Sequence, residues 1–108
     1  MTSKEEQALL LLAAKAIGKV LTFEVDEDSI GMPYMLNPDG GAHYWNPIRC
    51  SGDSRDLQVE LRISLAPTRG GYWIAHYFDS STQESWECGD ANPSLAVLYV
   101  AAQIGDHM

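Results

Sequence analysis

SGDSRDLQVELRISL, residues 51–65, decides the fold because it admits two readings. Val59, Leu61, Ile63 and Leu65 alternate as a strand would, whereas Leu57 and Leu61 lie one helical turn apart. Gly52, Asp53 and Ser54 stand ahead of them as a flexible step with two good N-cap residues, and Asp56 adds negative charge where a helix dipole favours it. The segment therefore divides: a short helix over about Ser54–Leu61, then a strand from Arg62. Just upstream, HYWNPIRC (43–50) must end a strand, because Pro47 has no amide to donate and drives Asn46 away from helical geometry. The polar groups between Trp45 and Asp56 are thus read as shaping backbone elements.

Working towards the N-terminus, MPYML (32–36) and AHYW (42–45) flank NPDGG (37–41), a reversal in which Pro38 presets one dihedral and Gly40 and Gly41 relax the rest, so a hairpin is expected. Pro33 restricts its first strand to an edge or an irregular start. KVLTFEV (19–25) is alternating and rich in β-branched residues, which reads as another strand, ended by the acidic run DEDSIG (26–31). Ahead of it, Thr2 or Ser3 with Glu5 or Glu6 makes a capping box, and Leu9, Leu10, Ala13, Ala14 and Ile17 recur at helical spacing up to Gly18, a left-handed exit. Lys15 and Lys19 complement the negative end of that helix.

Towards the C-terminus, APTRGG (66–71) turns into YWIAHYFD (72–79). Both faces of that strand are largely apolar, Tyr72, Ile74, His76 and Phe78 against Trp73, Ala75 and Tyr77, so both are expected to need cover, from helices or from a second subunit. A homodimer is accordingly expected to be possible. SSTQES (80–85) is a polar loop and WECG (86–89) a short edge strand. Asn92 caps and Pro93 opens a final helix that is apolar nearly all round until Gly105, which marks it as the main packing partner of the sheet. The expected fold is α+β, a mainly antiparallel sheet of three to five strands against three helices, in one domain spanning residues 1–108.

Composition narrows function by exclusion. Seven Lys and Arg against fifteen Asp and Glu give a net charge of −8, a field that opposes a phosphate backbone, so direct nucleic-acid binding is not expected. ALLLLAA (8–14) follows two glutamates instead of a basic segment and is too short to span a bilayer, which argues for a soluble, cytoplasmic protein without membrane contact. Cys50 and Cys88 form no close pair. A disulfide between them is open on count, but the cytoplasmic reading favours free thiols.

No pattern for chemistry is complete. DEDSIG begins like a calcium loop, yet Ile30 and Asn37 fall where ligands belong. His43, Cys50, His76 and Cys88 lack the tight ligand pair of a zinc site, and Arg49 beside Cys50 has no histidine partner in sequence. Neither glycine pair opens a helix to cradle phosphate. No metal, cofactor or catalytic residue is expected. Ten aromatics are many for 108 residues, and rings left at the surface are the usual anchors of protein interfaces. The candidate partner-binding residues are the acids Glu24, Asp26, Glu27 and Asp28 and the rings Tyr44, Trp45, Tyr72 and Trp73.

Three pieces in fixed order, LAAKAIG (12–18), YWNPIRCSGDSRDLQVEL (44–61) and NPSLAVLYVAAQIG (92–105), resemble the small phage and prophage proteins of the ABA-sandwich type. Trp45, Asn46, Pro47, Gly52, Asp53, Leu57 and Leu61 carry the likeness. Arg49 and Cys50 stand where that pattern has small or acidic residues, and Trp86 and Cys88 have no counterpart in it. The resemblance implies a sheet layered on helices and a phage accessory protein inside a bacterial host cell, with no activity assigned. The expected function is binding to a host or defence-system protein, as an inhibitor. Alternatives are a small-ligand or nucleotide-sequestering protein and a structural role in virion assembly.

Overall fold

The computed structural model describes residues 4–25, 30–37 and 39–108. Thr2 and Ser3 of the N-terminal capping box, residues 26–29 of the DEDSIG run and Pro38 lie outside them. Among the described residues, three helices and six strands follow in the order α1 (Lys4–Ala16), β1 (Leu21–Val25), β2 (Ile30–Leu36), β3 (Ala42–Tyr44), α2 (Ser51–Leu61), β4 (Ser64–Pro67), β5 (Trp73–Asp79), β6 (Glu84–Asp90) and α3 (Pro93–Asp106). The strands form two antiparallel sheets of three, ordered β1-β2-β3 and β4-β5-β6. The α+β class and the three helices agree with the sequence reading, with the strands shared between two sheets.

The ambiguous segment does divide into helix and strand, but the helix begins at Ser51, not Ser54. The amides of Arg49 and Cys50 already bond to the Asn46 carbonyl, so a tight turn runs straight into the helix, and Cys50 occupies the N-cap without a side-chain cap. Arg62, in the left-handed region at φ 56°, stops it, and its amide closes the last turn. α1 also ends as expected, with Gly18 at φ 70° and the Lys19 amide returning to the Ala14 carbonyl.

Pro33 is not at an edge. It lies in β2, the middle strand of its sheet, opposite Phe23. The ladder tolerates it because its missing donor faces β3 just where that strand has ended; only its carbonyl is used, by the Trp45 amide at 3.1 Å. β6 likewise exceeds the short strand expected at WECG, pairing with β5 over seven residues.

α3 is the hub. Asn92 caps it through the Ser94 amide with Pro93 in the first turn, as read from the sequence. α3 packs on α1, on α2 and across β5 and β6. Leu98, Val97, Val100 and Ala101 join Leu10, Ala13, Leu57 and Ala75 in one core that also takes Leu21, Met35 and Trp45 from the first sheet's side. Each fully buried Leu or Val there contributes about 2 kcal/mol. Gly105 is not the helix stop; the helix runs through it to Asp106, and Gly105 instead sits against the α1 backbone at Leu12.

Candidate functional site

Asn46 and Asp53 close the corner between β3 and α2. Asn46 is 2% exposed. Its Oδ1 accepts from the Ile48 amide at 3.0 Å and the Arg49 amide at 3.3 Å, while its own amide donates to Asp53 Oδ2 at 2.9 Å. Asp53 thus serves the incoming chain instead of capping its own helix. Asn46 Oδ1 and Asp53 Oδ2 thus hold backbone at this corner.

The four residues considered as metal or nucleophile candidates are dispersed. His43 is on β3, where its Nδ1 meets Asn37 Oδ1 at 2.6 Å; Cys50 precedes α2; His76 is on the solvent-facing side of β5; and Cys88 on β6 faces α3. Among the described residues no three of His, Cys, Asp and Glu come together to hold a metal ion. Burial pushes the Cys88 thiol above its ordinary range, an effect that Glu87's charge reinforces and the Gln103 amide, 3.5 Å from the sulfur, opposes. Asp79 is held below the usual carboxylate range by the Ser81 hydroxyl and amide.

Among the described residues, one face of each sheet is left open. In the first, alternation places Val20, Thr22, Tyr34, Leu36, Ala42 and Tyr44 on the side away from buried Leu21 and Met35. Val20 is 63% exposed, Leu36 44% and Tyr44 38%, with Tyr34 and Tyr44 edge to face at 6.2 Å. In the second, Trp73, Ala75 and Tyr77 lie on the side α3 covers, and Tyr77 stacks on Trp86 at 5.6 Å. Ile74, His76 and Phe78 face the other way, with Phe78 55% exposed and the Tyr72 ring lying over Gly89. Among the described residues, helix α3 covers one face of β5, and on the other Ile74 and His76 are half-buried while Phe78 is exposed.

The predicted binding residues separate accordingly. Tyr44 and Tyr72 are at the surface on different sheets, and Trp73 is half-buried on the covered side. Trp45, 4% exposed, is a core residue, which corrects its place among surface anchors: the chain turns inward after Tyr44, and the ring joins the core. Glu24 is on β1 opposite Met32, while Asp26, Glu27 and Asp28 lie outside the described residues. Val20 and Leu36 are not among those candidates, while Phe78 falls under the expectation that rings left at the surface anchor interfaces. The signal for the first two is the alternation that puts Val20 with Thr22 and Leu36 with Tyr34, which becomes informative only with the strand register known.

Among the described residues no helix is long and apolar enough to cross a membrane. No protein-family model matches the chain, and no curated protein matches it in sequence. In fold it is similar to a phage protein from Bacillus cereus ATCC 14579, whose crystal structure superposes with a TM-score of 0.64 at 13% identity, over 98% of this chain and 91% of that one.

Proposed function

We propose that this chain is a phage or prophage accessory protein that acts by binding another protein and catalyses no reaction. The carrying observation is the row of large apolar side chains left in solvent on the outer sheet faces, Val20, Leu36 and Tyr44 on one and Tyr72 and Phe78 on the other. Rings of this kind, held on rigid strands, anchor interfaces at small entropic cost. The net charge of −8 adds long-range attraction to a basic partner and repulsion from nucleic acid. The phage assignment is supported by the fold it shares, over nearly its whole length, with the Bacillus cereus phage protein.

The partner on this reading is a host or defence-system protein met in the bacterial cytoplasm, and the outcome is inhibition. Affinity capture from host lysate, with mass spectrometry of what is retained, tests it. A single protein retained at low salt and released as ionic strength rises is the expected result. Retention of nothing, or a small molecule that raises the melting temperature in a nucleotide screen, contradicts it.

A further inference from the structure

Resting on that protein-binding reading, we infer that the free edge of β6 takes up an extended basic segment of the partner as a seventh strand.

The ladder fixes which groups are available. The Thr68 amide donates to the Tyr72 carbonyl at 2.9 Å, so Tyr72, Ile74, His76 and Phe78 turn their backbone groups to β4, and Trp73, Ala75, Tyr77 and Asp79 turn theirs to β6. The Gln83 amide on the Asp79 carbonyl agrees with this. Through the pairs Trp73 with Asp90, Ala75 with Cys88, Tyr77 with Trp86 and Asp79 with Glu84, the even residues of β6 are engaged. Ser85, Glu87 and Gly89 then present their amides and carbonyls outward, and among the described residues no backbone group meets them. All three are exposed.

The other edges offer less. β4 has four residues and ends at Pro67, whose missing donor falls on its open side; β3 has three residues and β1 five. β6 has seven, with no proline and no lysine, the two residues that ordinarily blunt an edge. Its charges are Glu84, Glu87 and Asp90, all acidic. A second copy is a poor occupant: the antiparallel register that pairs the whole strand with itself sets Glu87 against Glu87 and Glu84 against Asp90. A strand carrying Lys or Arg is attracted by the same charges.

The covered side supplies a seat for one such side chain. A cleft of about 230 Å³ beside Cys88 is lined by Leu9, Leu12, Tyr99, Gln103 and Asp106. The apolar walls suit a long aliphatic stem. Asp106 is an acceptor at the surface, and Gln103 Oε1 is buried among the described residues with no hydrogen-bond partner. An added strand would point alternate side chains to this side, so one Lys or Arg of the segment can enter while the backbone pairs.

The test uses an octapeptide of four Lys-Val repeats, its Glu-Val counterpart, and a Lys-Val peptide N-methylated at alternate residues, which keeps charge but loses the ladder. Hydrogen exchange on the full chain reads the site. The Lys-Val peptide should slow exchange at Ser85, Glu87 and Gly89 by about tenfold or more, and the other two should not, since a lost ladder or reversed charges remove at least one factor of ten in affinity. Glu87→Pro, checked for folding by its melting curve, should abolish the effect, and Glu87→Lys, which leaves the backbone intact, should weaken it about tenfold. Absence of binding, equal binding of the N-methylated peptide, or binding without protection at these three amides overturns the proposal. A captured partner that holds Glu87→Pro as tightly as the unaltered chain would overturn the edge while leaving the protein-binding reading standing.

Discussion

Gly105 of α3 lies so close to the Leu12 carbonyl of α1 that a Cβ at this position would overlap it. In an ordinary helix Gly→Ala gains up to about 1 kcal/mol, so the sign of this substitution is diagnostic. Gly105→Ala should destabilise by about 1–3 kcal/mol because the obstructing atoms are backbone and the helices must part. Chemical denaturation measures this. A neutral or stabilised variant would mean that the helices do not touch there.

Tyr44 and Trp45 are chain neighbours with opposite fates, one at the surface and one in the core. Trp45→Ala should cost about 3–5 kcal/mol, and Tyr44→Ala about 1 kcal/mol, the value of its edge-to-face contact with Tyr34. Thermal melts of the two variants side by side check the contrast; similar losses would contradict the inward turn at Trp45.

Asn46→Ala should destabilise by about 1–3 kcal/mol, since it leaves the Ile48 amide without its acceptor at a buried corner, whereas the Arg49 amide keeps the Asn46 backbone carbonyl. Asn46→Ser keeps a neutral side-chain acceptor and should lose less. Equal losses in urea titrations would show that the side-chain acceptor is not what holds the corner.

Much of this architecture was legible beforehand because it rests on local chemistry. Asn92-Pro93 starts α3 and Gly18 ends α1 as their residue types dictate. The errors share one cause, contacts between residues remote in sequence. Gly105 looks like a helix stop until α1 is laid against it, and Pro33 looks like an edge residue until β3 is seen to end beside it. Asp53 looks like a cap until the Asn46 amide claims it. The candidate surface was half legible for the same reason. Tyr44 and Tyr72 declare themselves as rings, whereas Val20 and Leu36 are ordinary strand residues whose exposure depends on register and on what the other elements cover.

The Cys88 thiol, raised chiefly by burial, gives a pH signature. Its contribution to stability is complete below the ordinary thiol range near pH 9 and is lost as pH rises through the higher folded value. Alkylation of Cys88 in the folded chain at pH 8 should be slower than in the denatured chain and should keep rising with pH beyond about 9. Mass spectrometry of quenched samples follows each cysteine separately. A folded-chain rate that levels at the same pH as the denatured chain's would mean that burial does not hinder the thiolate.

The most direct test of the central claim joins partner capture to the open sheet faces. Tyr44→Ala, Leu36→Ser and Phe78→Ser should each lower affinity for the captured protein by about tenfold or more, as expected of anchor residues, while the melting temperatures of Leu36→Ser and Phe78→Ser stay within a few degrees of the unaltered chain. Undiminished binding by all three variants would contradict the account, because the apolar rows on which it stands would then touch nothing.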